Sequence, residues 1–127
     1  MRKLSGLFGA LIPVSALVSC GGGDTTVTPP PPQCAANTFC MTISNTFTPL
    51  SMTVAVGSTV SWENDSSLPH NVTWDTPAGR TAAAAGDGTG DIGDFSTGTH
   101  TRVFATAGTF GFHCTIHPGM NGTLTVQ

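Results

Sequence analysis

Seven consecutive residues, Cys114-Thr115-Ile116-His117-Pro118-Gly119-Met120, place a thiolate, an imidazole and a thioether close together. A second imidazole, His70, lies far earlier in Pro69-His70-Asn71-Val72. One thiolate and two imidazoles in a plane, with a weak axial thioether, form a donor set for copper electron transfer. Soft sulfur favours Cu(I) and imidazole accepts Cu(II), so neither oxidation state is strongly rejected. His70, Cys114 and His117 are therefore the candidate strong ligands of one type 1 copper ion, with Met120 as the axial one. Singly, each has a plainer use: His70 could cap a turn and Met120 could fill a core. The four together, in this order, are what point to a metal.

Other chemistries fit less well. Zinc would favour more thiolates, or a carboxylate in place of Met120. A multicopper oxidase needs additional His-x-His pairs, and the chain's four histidines supply none. A copper-handling protein without a redox role is the alternative reading, but it would favour exposed Met- or His-rich tracts, which are absent. A nucleophilic Cys114 with His117 as its base leaves Met120 without a purpose. The sequence thus indicates an electron carrier and not an enzyme.

The scaffold must hold His70 beside a loop more than a third of the chain away. From Cys34 onward apolar residues alternate with Thr, Ser and Gly, as half-buried strands require. Strands are expected at Thr42-Ile43, Met52 to Val56, Thr59 to Trp62, Asn71 to Trp74, Thr101 to Phe104, Thr109 to Cys114 and Thr123 to Val126. Seven or eight short strands in residues 34–127 make an all-β, Greek-key sandwich. In the strand before Cys114, alternation puts Phe110, Phe112 and Cys114 on the core face, with Gly111 and His113 opposite. Residues 75–98 break the pattern, with an alanine run at 82–85, six glycines and four aspartates. They read as a long, mobile surface insertion holding at most one helical turn or a short edge strand. His100 reads as solvated, and Met41 and Met52 as packing residues.

The N-terminus is an address. Arg2 and Lys3 precede an apolar run, and Leu17-Val18-Ser19-Cys20 closes it in the pattern of a bacterial lipoprotein signal. Residues 1–19 are the expected signal peptide and Cys20 the lipidated residue; a plain secretory signal with no role for Cys20 is the alternative. Residues 20–33, with three glycines and four consecutive prolines, cannot bury a core and form a tether. Gly21 in place of Asp favours the outer membrane, with the domain facing the periplasm. In that oxidising compartment Cys34 and Cys40 are candidates for a disulfide, worth on the order of 2 kcal/mol for so short a loop. Loss of residues 1–19 leaves two arginines against seven carboxylates, a net charge of −5 with histidine neutral. That balance argues against nucleic-acid binding and permits steering toward a basic protein partner.

The sequence resembles the cupredoxin family of blue copper proteins over residues 41–127. The resemblance rests on Phe47-x-Pro49, Val54-x-Val56-Gly57-x-x-Val60-x-Trp62-x-Asn64, Pro69-His70-Asn71-Val72 and the Cys114 loop. The short Cys-x-x-His-x-x-Met spacing is closer to amicyanin than to plastocyanin. It implies that the Asn71 side chain ties the two ligand loops together, that the Thr115 backbone amide assists, and that electrons pass at the His117 edge. It also implies transient docking with redox partners such as a cytochrome, dehydrogenase or reductase. The departures are the 75–98 segment and Gly111-Phe112, where relatives often carry a tyrosine.

Overall fold

Alternation of large apolar and small hydroxyl side chains gives each strand one face to bury, and two such sheets can bury each other's faces. The computed structural model describes residues 34–127, so the signal segment, Cys20 and the tether lie outside the described residues. Its strands are β1 (Thr38–Met41), β2 (Phe47–Thr48), β3 (Ser51–Val54), β4 (Thr59–Asn64) and β5 (His70–Trp74). After the helix α1 (Pro77–Ala82) come β6 (Ala83–Gly86), β7 (Ile92–Phe95), β8 (Gly98–Phe104), β9 (Gly108–His113) and β10 (Asn121–Val126). One sheet runs β2-β1-β4-β8-β6 and the other β3-β10-β9-β5-β7. β1 with β4 and β3 with β10 are parallel pairs; the remaining pairs are antiparallel.

The expected all-β sandwich is present, with ten strands in place of seven or eight. Thr42-Ile43 is not a strand. The first strand ends at Met41, and the chain turns through Asn45 at φ 56°, closed by Thr42 N–H donating to the Thr46 carbonyl at 3.0 Å. Ile43 is consequently left 75% exposed. Cys34 and Cys40 are joined as a disulfide where the domain begins.

Residues 75–98 depart most from expectation, because they form α1, β6 and β7 and not a mobile insertion. β6 adds to the edge of one sheet against β8, and β7 to the edge of the other against β5. The helix is started by Thr76, whose hydroxyl accepts from Gly79 N–H at 3.2 Å, with Pro77 in its first turn. Ala82, Ala83 and Ile92 enter the core. Gly86, at φ 124°, passes so close to the Thr101 carbonyl that a Cβ there would collide with it.

A buried guanidinium orders this segment. Arg102, on β8, is 4% exposed. Its Nε donates to the Gly90 carbonyl at 3.0 Å and its Nη2 to the Asp91 carbonyl at 2.9 Å. Its Nη1 reaches Asp87 and the Thr101 carbonyl, each at 2.7 Å. A cation taken out of water needs such a full set of partners. Trp74 adds two more ties, its backbone N–H to Asp91 at 3.0 Å and its indole N–H to the Gly90 carbonyl at 3.2 Å. Polar residues that looked like a solvated loop are bound from outside the segment, which local patterning does not reveal.

Aromatic rings fill the space between the sheets. Trp62 packs on Phe39 at 5.7 Å, Phe112 at 5.6 Å and Trp74 at 5.8 Å between centroids. Trp62 is stacked on Phe39 and edge-on to Phe112 and Trp74, and such contacts give shape-specific packing beyond area burial alone. Phe110, Phe112 and Cys114 are all on the core side, at 7%, 0% and 3% exposure, so β9 carries its aromatic row directly into the thiol. Met41 is buried and Met52 packs at the margin, both as packing residues.

Candidate metal centre

Cys114 follows the last residue of β9, and Met120 precedes the first of β10. The intervening turn is closed by two backbone bonds. Cys114 N–H donates to the Met120 carbonyl at 2.9 Å, and Met120 N–H to the His117 carbonyl at 3.1 Å. Gly119 sits at φ 85°, a left-handed conformation that β-carbon residues adopt only with strain. Strand pairing across Asn121 and His113 then brings the two ends of the turn together.

His70 opens β5, whose neighbour in the sheet is β9. The loop before it is shaped by Asn64, fully buried at the end of β4. Asn64 Nδ2 donates to the Leu68 carbonyl at 2.9 Å and the Phe95 carbonyl at 2.7 Å, while Oδ1 accepts from Ser66 N–H at 3.0 Å. The sequence signal was present in Trp62-x-Asn64 followed by serines, a turn-forming context, but it named no role for the amide.

These two constructions converge. Cys114 Sγ lies 3.7 Å from His117 Nδ1 and 4.0 Å from His70 Nδ1. One donor atom from each of His70, Cys114 and His117 falls within 4.8 Å of the others. Separations of this size suit atoms sharing one ion, because Cu–N and Cu–S bonds of about 2 Å span them. The imidazole rings are tilted by 54° with centroids 4.6 Å apart. Met120 is 1% exposed, and its backbone pairs with Cys114 and His117 at the close of the same turn.

Burial first, and then the facing imidazole of His117, hold His70 below the ordinary histidine value of 6.5. The Thr42 backbone pulls the other way without completing a hydrogen bond to the ring. A ring that resists protonation keeps its lone pair for a cation. The donor set fits copper: soft sulfur, two imidazoles and no carboxylate among the clustered residues.

Asn71 stands next to His70 and reaches across to the other ligand loop. Its Oδ1 accepts from Thr115 N–H at 2.9 Å and its Nδ2 donates to Thr115 Oγ1 at 2.7 Å. The hydroxyl of Thr115 therefore joins its backbone amide in the clamp. His113 pairs with Asp75 at 2.6 Å on the opposite face of β9, outside the cluster. His100 also lies outside it, but it is not simply solvated. It bonds Asp87 at 2.8 Å and packs edge-on to Phe95.

Comparison with known proteins decides the family. Residues 37–127 match the family of copper-binding proteins described as plastocyanin/azurin. The chain belongs to that family. Plastocyanin from Scenedesmus fuscus is 38% identical over 86 residues, covering 64% of this chain and 86% of that one. Amicyanin from Paracoccus denitrificans is 36% identical over 74 residues, 58% of this chain and 53% of that one. Among solved structures, a purple cupredoxin from Nitrosopumilus maritimus superposes with a TM-score of 0.58 at 26% identity, covering 71% of this chain and 98% of its own. An oxidised point mutant of amicyanin gives 0.56 at 26% identity over 71% of this chain and 80% of its own. The cupredoxin sandwich, and a place for one type 1 copper, are thus properties of this chain.

Proposed function

We propose that the protein is a one-electron carrier whose copper is held by His70, Cys114, His117 and Met120. The observation that carries this reading is the meeting of two imidazole nitrogens and one buried thiol within 4.8 Å, drawn from two separate loops. Copper bound there supplies a Cu(II)/Cu(I) couple that takes up and returns one electron. The chain's own part is to hold the donors in one compromise arrangement. Two β-strands fix the loop ends, the Asn71–Thr115 clamp fixes the loops to each other, and the aromatic core resists displacement.

His117 is half-buried, and Ile116 and Pro118 beside it are exposed. An apolar rim around a partly accessible imidazole lets a redox partner approach without displacing tightly held water. This edge is the proposed port for electrons, and the partner a cytochrome, dehydrogenase or reductase that docks transiently. The test is to load the full-length protein with Cu(II) and record visible and EPR spectra. Strong blue or purple absorption with narrow copper hyperfine splitting supports the reading. A colourless protein with bound copper contradicts it.

The same proposal places the domain at the cell envelope, lipidated at Cys20 and held at a distance by residues 21–33. The support is the Leu17-Val18-Ser19-Cys20 pattern and the Gly/Pro tract after it. Among the described residues no helix is long and apolar enough to cross a membrane. Labelling cells with a radioactive fatty acid should mark the protein, and Cys20→Ser should abolish the label and release the domain from membranes. An unlabelled wild-type protein recovered in the soluble fraction would rule out the anchor.

A further inference from the structure

Asp94 lies on β7, in the glycine-rich segment, and its Oδ1 accepts from Asn71 Nδ2 at 2.8 Å. The second proton of the same amide goes to Thr115 Oγ1, and Asn71 Oδ1 takes Thr115 N–H. Both amide protons of Asn71 are therefore engaged. The arrangement also has a definite sense. Turning the amide over would set its NH2 against a backbone N–H and its oxygen against a carboxylate. Asn71 is 6% exposed, so an unmatched amide there would carry a desolvation cost.

We propose that Asp94 is a positioning residue for the copper centre, acting through Asn71. Its carboxylate fixes the orientation of the Asn71 amide and polarises it, which strengthens the grip of Oδ1 on the peptide that follows Cys114. It also sets a negative charge beside the two ligand loops, which favours the oxidised, more positive state of the site. Asp94 is exposed, so salt screens that second effect. This inference rests on the copper reading and adds a source of control from a segment that supplies no ligand.

The experiment uses the full-length protein with Asp94→Ala, Asp94→Asn and Asp94→Glu. In the copper-free protein, amide hydrogen exchange is followed at Thr115 and, as a core reference, at Trp62. Asp94→Ala should speed exchange at Thr115 roughly threefold to tenfold, the loss of one partly solvated charge-assisted bond, and leave Trp62 unchanged. In the copper-loaded protein, Asp94→Ala and Asp94→Asn should both raise the midpoint potential. The rise in Asp94→Asn should shrink with added salt, and Asp94→Glu should return toward wild type. The proposal is overturned if Thr115 exchange in Asp94→Ala matches wild type, or rises only in step with Trp62, or if the potential of either neutral variant fails to rise. Should the wild-type protein prove not to hold type 1 copper, the reading of the site fails separately, and the exchange data still decide whether Asp94 holds the clamp.

Discussion

The Cys114–Met120 turn and the 75–98 segment are both loops by composition, yet they are held with different emphasis. The turn is closed from within: two short backbone bonds, a left-handed Gly119 and the β9–β10 pairing define it. The 75–98 segment has ties of its own, Arg80 to Asp91 and Gly90 N–H to the Ala83 carbonyl, but it is also held by Arg102 and Trp74, which belong to other strands. They meet at Asn71, which is bonded to Thr115 of the one and Asp94 of the other. The contrast teaches that local geometry makes the ligand turn, whereas a buried polar network supports the wall beside it.

The contrast can be broken at the wall with the largest effect. Arg102→Met removes four hydrogen bonds and strands the Asp91 carbonyl, while the Gly90 carbonyl keeps the Trp74 indole N–H and Asp87 keeps Thr101 N–H and His100. The Asp87 side chain is 39% exposed, so the cost falls on the stranded carbonyl and the lost packing, about 2–3 kcal/mol, and chemical denaturation should show it as the largest stability loss of these variants. Copper affinity should fall far less, because no ligand touches Arg102. Equal losses of stability and copper affinity would erase the distinction between the two regions.

At the meeting point, Asn71→Ala removes three bonds and strands Thr115 N–H. A loss of about 1–2 kcal/mol is expected, with a visible change in the copper spectrum that Arg102→Met does not produce. In the turn itself, Gly119→Ala introduces a β-carbon at positive φ, for a cost of about 1 kcal/mol. Nothing lies within 4 Å of the added carbon, so the effect should come from backbone strain alone. A variant as stable as wild type would show that the turn relaxes freely.

The smallest effect concerns pH. Burial raises the proton affinity of Asp87, but bonds from the Thr101 backbone and His100, with the charges of His100 and Arg102, together outweigh it. Its value is thus held below the ordinary 3.8, and the carboxylate stabilises the fold above that pH. The contribution is lost as pH falls below 3.8 through the lowered value. Asp87→Asn should flatten this acid limb of a melting-temperature profile while lowering stability near neutrality. An unchanged acid limb would contradict the assignment.

How much was legible in the sequence follows the same division. Cys114, His117 and Met120 announce themselves because their spacing is local, and Phe110 and Phe112 because alternation fixes which way a strand's side chains point. His70 was found through its chemistry and its place at a strand end. Asn71 and Thr115 came from the family resemblance, and the structure adds the hydroxyl of Thr115 to the clamp. The composition of 75–98 allows a helical turn or one short edge strand, but the two edge strands β6 and β7 together, and the roles of Asp94 and Arg102, were hidden because their partners are distant in sequence. The first strand was misplaced for a related reason: Thr42-Ile43 has strand composition, but the bend at Asn45 takes it out of the sheet. Polar contacts across long separations leave no periodic trace.

The central claim is that Cys114 and its neighbours hold a type 1 copper. It is tested most directly by visible and EPR spectra of the full-length protein loaded with Cu(II), beside Cys114→Ser. Intense thiolate-to-copper absorption and narrow hyperfine splitting are expected in the wild type, both lost in Cys114→Ser. Colour that survives the substitution, or a wild-type protein that binds Cu(II) without it, would contradict the claim.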